Sequence, residues 1–317
     1  MILSRRNFFF LTGSALVNAE PVRKPLRGIF PIMQTPFTEA NRLDLPVLAK
    51  QARFLDRCGL HGMVWPQLAS EYSTLSREER LAGAETLLAA SRGLHPAVVI
   101  GVQSDTVPQA VDYAHHATRN GADALIALPP QNETDKQRIF SYYKAIGEAS
   151  ALPLFIQAIG DMSVEFVAGM AKEIPTLRYI KDESGPVHSR ITTFRQQAPD
   201  LNSFSGFHGK TLYEEMVRGS AGTMPAAGFG DLYVPAWEHF QNGNRKAAAE
   251  YCARALLLIS SMETWGIDAC KYVLHLRGIF PNWKVRRTGP GKSGEFDEHA
   301  RRAIREMLDA VKPYLRA

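Results

Sequence analysis

The segment Arg178-Tyr179-Ile180-Lys181-Asp182-Glu183-Ser184 ends a short apolar run on a lysine and sets carboxylates at the next two positions. Side chains on a strand alternate faces, so Lys181 and Glu183 share one face and Ile180 and Asp182 the other. If Ile180 packs outward beneath covering helices, Lys181 points the opposite way, into a water-poor interior. Desolvation favours a neutral amine, the form that attacks a ketone to make a Schiff base. Glu183 is then placed to act on the carbon beside such an imine. An ionised carboxylate would oppose activation of the amine, a tension that burial relieves if it keeps the carboxyl partly protonated, as a general acid requires. The plainer alternatives are a solvated strand end for Lys181 and a surface loop position for Glu183.

The elements that would position these groups follow a regular beat. Short apolar runs are GIFPIMQT, GMVWP, AVVIGV, ALIALPP, LPLFIQ, RYIK, SFSG and GTMPA, all between Gly28 and Ala226. Helical periodicity separates them, as in Leu45 to Cys58, Arg77 to Ser91, Val107 to Asn120, Lys136 to Ala149 and Val164 to Ile174. Runs apolar throughout suit parallel strands covered on both faces. Such β/α units, repeated eight times, predict an α/β fold of the (β/α)8 (TIM) barrel type over residues 20–242, with a doubly wound open sheet as the alternative. From Arg245 onward helical patterns continue without strand signals, so residues 243–317 are expected to form a C-terminal helical extension. Chemistry in barrels gathers at the C-terminal strand ends. There lie Thr35, Ser70 and Glu71, Pro129-Pro130-Gln131, Gln157, Lys181 and Glu183, Ser205-Gly206-Phe207-His208, and Pro225. Gln157 is expected to touch a substrate hydroxyl, and His208 a hydroxyl or carboxylate. Glu71 reads as a hydrogen-bonding residue of its own loop.

The order of Thr35-Pro36-Phe37, Glu71-Tyr72-Ser73-Thr74-Leu75, Gly121-Ala122-Asp123-Ala124, Tyr142-Tyr143-Lys144-Ala145-Ile146 and Ile180-Lys181-Asp182-Glu183-Ser184-Gly185 resembles the dihydrodipicolinate synthase / N-acetylneuraminate lyase family. The resemblance runs from about Gly28 to the C-terminus. It implies a (β/α)8 barrel, a Schiff base between Lys181 and the C2 carbonyl of a 2-keto acid, and assembly as a homotetramer or dimer. Departures are as telling. The family's Gly-Thr-Thr-Gly-Glu loop, whose hydroxyls help hold the keto-acid carboxylate, here reads Gln67-Leu68-Ala69-Ser70-Glu71, leaving Ser70 as a partial substitute. The catalytic tyrosine falls on Gln157, the arginine that follows it is missing, and the tyrosine lent between subunits falls at Pro130 or Gln131. A glutamine cannot shuttle a proton at neutral pH, so a tyrosine-centred mechanism cannot run unchanged. Gln157 together with Lys181-Asp182-Glu183 looks like the branch holding 2-keto-3-deoxy-sugar-acid dehydratases. The catalytic assignments are therefore Lys181 and Glu183; Gln157, Ser70, Gln131, Ser205, Gly206 and His208 are expected to bind substrate. The expected reaction is cofactor-free dehydration of a 2-keto-3-deoxy sugar acid. Retro-aldol release of pyruvate and binding of keto acids without turnover are the alternatives.

Composition narrows the classes further. The chain has 317 residues and a net charge of +5, but Arg5, Arg6, Arg23, Lys24 and Arg27 crowd its start, leaving no basic stripe for nucleic acid. The basic stretch WKVRRTGPGK reads as a solvated loop. Three widely spaced cysteines, Cys58, Cys252 and Cys270, offer neither a disulfide framework nor a zinc site. No histidine or acidic cluster has metal-ligand spacing, and no apolar run is long enough for a membrane span. Paired Arg5-Arg6, the apolar stretch Phe8 to Val17 and small residues before Ala19 match a twin-arginine export signal over residues 1–19. Export to the periplasm is the expectation, with the cytoplasm as the alternative.

Overall fold

The computed structural model describes residues 24–286 and 294–317, so the expected export signal lies outside the described residues. Eight parallel strands form one sheet: β1 Gly28–Ile29, β2 Gly62–Trp65, β3 Ala97–Gly101, β4 Ala124–Ala127, β5 Leu154–Ala158, β6 Leu177–Asp182, β7 Asn202–Ser205 and β8 Gly222–Thr223. Their order is β1-β8-β7-β6-β5-β4-β3-β2, and parallel bridges from Ile32 to both Val64 and Ala226 close the ring between β1 and β2. The barrel read from the alternating runs is thus the fold, and the open-sheet alternative falls because both edges are paired.

The helices alternate with the strands: α1 Leu45–Arg57, α2 Arg77–Ala90, α3 Val107–Arg119, α4 Lys136–Glu148, α5 Val164–Glu173, α6 Val187–Gln197, α7 Leu212–Val217 and α8 Gly230–Gln241. Polar caps start several of them, satisfying amides that lack a partner in the first turn. Asp44 caps α1 through Val47 N at 3.2 Å, Ser76 and Glu79 form a capping box on α2, and Ser163 caps α5 through Phe166 N at 3.2 Å. Beyond the barrel come α9 Arg245–Trp265, α10 Ile267–Leu276 and α11 Glu298–Val311. Helix α11 buries Ala300, Ile304, Leu308 and Val311, a spacing that lines one face. Among the described residues no helix is long and apolar enough to cross a membrane.

Two apolar layers share each strand. One face of the sheet, carrying Met63, Val98, Leu125, Ile156 and Ile180, packs under the helices. The other fills the barrel with Phe30, Val64, Val99, Ile126, Phe155 and Phe204. On β6 this alternation sends Ile180 and Asp182 outward, and Asp182 is fully buried against Arg190 of α6, 2.7 Å from its Nε. Tyr179 and Lys181 therefore face the interior.

The basic stretch after α10 is not a solvated loop over the residues described. Trp283 to Arg286 are partly buried, and Arg286 grips Glu79 of α2 at 2.7 and 2.8 Å. The remainder of that stretch, 287–292, lies outside the described residues.

Candidate active site

Strand register sets the first pair of polar side chains. Gln157 of β5 lies opposite Lys181 of β6, one position above the Phe155–Tyr179 pair on the same interior face. Those two rings stack at 4.4 Å, and Phe204 meets Phe155 edge-on at 5.3 Å. This aromatic floor closes the barrel below, so Lys181 stands on apolar ground with 5% of its surface exposed. Charged side chains are almost never buried to that degree unless something pairs with them.

Glu183 is the partner. It follows β6 directly, and its backbone N–H still donates to Ala158 O at 2.9 Å, which carries the strand pairing one residue further. Its Oε2 lies 3.4 Å from Lys181 Nζ and accepts a hydrogen bond from Gln157 Nε2. Its Oε1 accepts from the backbone N–H of Phe207 at 3.2 Å. Both carboxylate oxygens are thus met by donors, and Gln157, itself fully buried, keeps Oε1 without a partner.

The third wall comes from the turn after β7. Gly206 backs directly onto Glu183: a Cβ there would sit 1.8 Å from its Oε1. Phe207 and His208 both take the left-handed conformation, at φ 46° and 55°, which is costly for residues with a Cβ. Its own backbone bonds, Gly209 N–H to Gly206 O at 2.9 Å and Lys210 N–H to Phe207 O at 3.1 Å, close the turn, and Phe207 N–H to Glu183 and Tyr233 Oη to His208 O at 2.5 Å tie it to its neighbours. Burial, and secondly the charge of Lys181, pull the His208 imidazole down to about 4, so it is neutral at physiological pH.

Together these residues line a cavity of about 490 Å³ at the C-terminal mouth of the barrel. Ile32, Leu68, Ala69, Met224, Pro225 and Ala226 complete most of its wall, while Met262, Glu263 and Gly266 reach in from the junction of α9 and α10. Glu263 is held by Lys210 at 3.0 Å. Among the described residues no group of three or more His, Cys, Asp or Glu is placed to hold a metal ion. The arrangement offers an amine, a carboxylate touching it, polar groups from Gln157 and His208, and a second acidic side chain, Glu263, among apolar wall residues.

The residues expected at the site from sequence divide into two sets. Lys181, Glu183, Gln157 and His208 line one cavity, with Gly206 pressed against Glu183. Ser70 is elsewhere engaged: its hydroxyl donates to Met33 O at 2.5 Å and accepts from Gln67 N at 3.0 Å, closing the loop on itself. Ser205 points outward, because its position on β7 has the parity opposite to Phe204. Its hydroxyl meets Glu215 of α7 and Thr223. Gln131 is exposed and lines a neighbouring depression. The sequence reading missed Glu263 and Met262, which sit in a helical pattern with nothing to signal approach to the mouth. Glu71 is a structural hydrogen-bonder, as read, and its partners come from the C-terminal extension: its carboxylate accepts from Arg286 N–H at 2.7 Å and pairs with the fully buried Lys271.

The chain is 32% identical to the 4-hydroxy-tetrahydrodipicolinate synthase of Rhizobium meliloti over 167 residues, 51% of this chain and 56% of that protein. It is 26% identical to the L-2-keto-3-deoxyarabonate dehydratase of Azospirillum brasilense, over 83% of this chain and 89% of the dehydratase. It is likewise 26% identical to Escherichia coli YjhH, described as a probable 2-dehydro-3-deoxy-D-pentonate aldolase, over 81% of this chain and 89% of YjhH. The model of the dihydrodipicolinate synthetase family matches residues 25–308, and with its barrel and the lysine at the end of β6 the chain belongs to that family.

Proposed function

We propose that this protein is a Schiff-base lyase that removes water from a 2-keto-3-deoxy sugar acid. The observation that carries the reading is the contact of Lys181 with Glu183 at 3.4 Å inside the mouth cavity, where Gln157 stands on β5. Lys181 adds to the C2 ketone and a water leaves, giving an imine that acidifies C3. Glu183, whose two oxygens accept hydrogen bonds from Gln157 and Phe207, takes the C3 proton as a base. The resulting enamine expels the C4 hydroxyl, and Glu183 returns its proton to that leaving group as water. Hydrolysis of the imine then frees the unsaturated product and restores the amine. In this sequence of steps Glu183 is first the base at C3 and then, carrying that proton, the acid at the C4 hydroxyl.

Gln157 supports this division of labour. Its amide N–H orients Glu183, and its unpartnered Oε1 suits a substrate hydroxyl. His208, neutral and at the wall, suits a second hydroxyl. Similarity to the dehydratase of Azospirillum brasilense supports the same reaction. Equal identity to YjhH favours retro-aldol cleavage as a second reading, in which a base takes the C4 hydroxyl proton and the C3–C4 bond breaks. Incubation with 2-keto-3-deoxypentonate separates them. The proposal expects a product lighter by one water; pyruvate and an aldehyde would replace it with the aldolase.

Assembly as a homotetramer or dimer is proposed on the family resemblance, with light scattering as its check. Export by the twin-arginine route is proposed on Arg5-Arg6 and the apolar stretch after them, and fractionation of cells expressing the full chain tests it.

A further inference from the structure

Leu68 and Ala69 line the cavity from a loop whose geometry is set by contacts more than 200 positions away in sequence. Glu71, at the end of that wall, takes a left-handed conformation at φ 56° and ψ 38°, between two short turns, Leu68–Ser70 and Tyr72–Thr74. Such a conformation in a residue with a Cβ persists where its surroundings over-determine it. Here they do so from the C-terminal extension. Glu71 Oε1 accepts the Arg286 N–H at 2.7 Å, and Oε2 pairs with Lys271 Nζ. Lys271, with none of its surface exposed, also donates to Lys284 O at 2.7 Å and sits 4.3 Å over the Phe37 ring. The Arg286 guanidinium then fastens the far end of the loop, bonding Thr74 O at 2.9 Å, Asn41 O at 2.8 Å and both oxygens of Glu79.

We propose that Glu71, Lys271 and Arg286 form a latch by which the C-terminal extension positions the Leu68–Ala69 wall, making Lys271 and Arg286 positioning residues for keto-acid binding. The inference rests on the reading of the cavity as a keto-acid site. None of the three lines the cavity, so they act through the loop. A buried ion pair suits such a task because neither partner has water to fall back on: once one is removed, the other is left charged and dry. Burial lowers Lys271 to about 8 despite the opposing charge of Glu71. The charged groups that face Lys271 are Glu71 and Asp268, which favour its ammonium, and Arg286, which opposes it. Above that pH the ammonium is lost and Glu71 loses its counter-charge, so the latch loosens on the alkaline side.

The test uses the full chain as Lys271→Met, Glu71→Gln and the double variant. Amide hydrogen exchange over residues 67–75 and steady-state kinetics with 2-keto-3-deoxypentonate are measured on each. The latch predicts that each single variant raises exchange in that loop and KM about tenfold with kcat little changed, and that the double variant is no worse than the poorer single. It also predicts a wild-type KM that climbs above pH 8 and a Lys271→Met KM that does not. Folded variants with wild-type exchange and KM would overturn it, as would a fall in kcat at constant KM. If Lys271→Met does not fold, Glu71→Gln decides, since it keeps the shape and the Arg286 N–H bond. Exchange reads the loop without turnover, so a wild-type chain inactive on keto acids would defeat the proposed function and still leave the latch judged.

Discussion

The two halves of the barrel mouth are held in different ways. On the β5–β7 side, Gln157, Lys181, Glu183 and the Gly206–His208 turn hold one another through strand register and hydrogen bonds within the barrel. On the β2 side, the Leu68–Glu71 loop spends its one hydroxyl, that of Ser70, on its own turn, and it is braced from outside by Lys271 and Arg286 of the C-terminal extension. The difference teaches that this mouth separates its duties. On the proposed reading, chemistry sits where strand register sets Gln157 opposite Lys181. Substrate fit, on the same reading, falls to a loop that Lys271 and Arg286 contact from a distant segment. Damage to the first half should therefore lower kcat, and damage to the second should raise KM.

The predictions that break or sharpen this contrast are ordered by size. Lys181→Ala removes the amine that every proposed step needs, and turnover measured by product formation is expected to vanish while the fold, read by circular dichroism, persists. Glu183→Gln keeps the shape and its contact with Gln157 but cannot carry a proton. Single-turnover kinetics should show a loss of about 10²–10⁴-fold in the proton-transfer step with imine formation retained. Gly206→Ala would push a methyl group into the Glu183 carboxylate, where a Cβ meets Oε1 at 1.8 Å. Relieving that clash moves the carboxylate by about 1 Å or more, which should cost on the order of 10²-fold in kcat with KM little moved. A loss in KM alone from this change would erase the contrast between the halves.

On the other half, breaking a buried ion pair by Lys271→Met should cost about 3–5 kcal/mol of stability, checked by urea unfolding. Equal stability of variant and wild type would show that Glu71 finds another partner. The smallest effect is one of pH. His208 is held at about 4 in the folded chain, below the 6.5 of an unstructured histidine, so the unfolded state binds more protons between those values. Its contribution is fully present above 6.5 and is lost as pH falls toward 4. His208→Gln should flatten that part of the stability curve, and an unchanged slope would remove His208 from the account.

The same division decided what could be read from the sequence. The barrel was legible because eight apolar runs alternate with amphipathic segments, and each run became a strand. Lys181 and Glu183 were legible together because parity within one strand is local, and the inward Tyr179 and outward Asp182 follow the same rule. Parity also governs Ser205, which faces α7 and not the mouth, but a strand as short as SFSG gives too few positions to fix its phase. Ser70 shows a different limit. A serine in a loop reads as an available hydroxyl, yet the turn uses it first, for Met33 O and Gln67 N. Lys271 and Arg286 were beyond reach: nothing in a helical pattern singles out Lys271, and the basic stretch holding Arg286 reads as solvated until the chain's return across Phe37 is known.

The most direct measurement of the central claim is reductive trapping. The full-length protein is incubated with pyruvate or 2-keto-3-deoxypentonate, reduced with borohydride, digested and mapped by mass spectrometry. The account predicts one adduct, on Lys181, absent from Lys181→Ala and retained in Glu183→Gln. No adduct, or an adduct on another lysine, would contradict it.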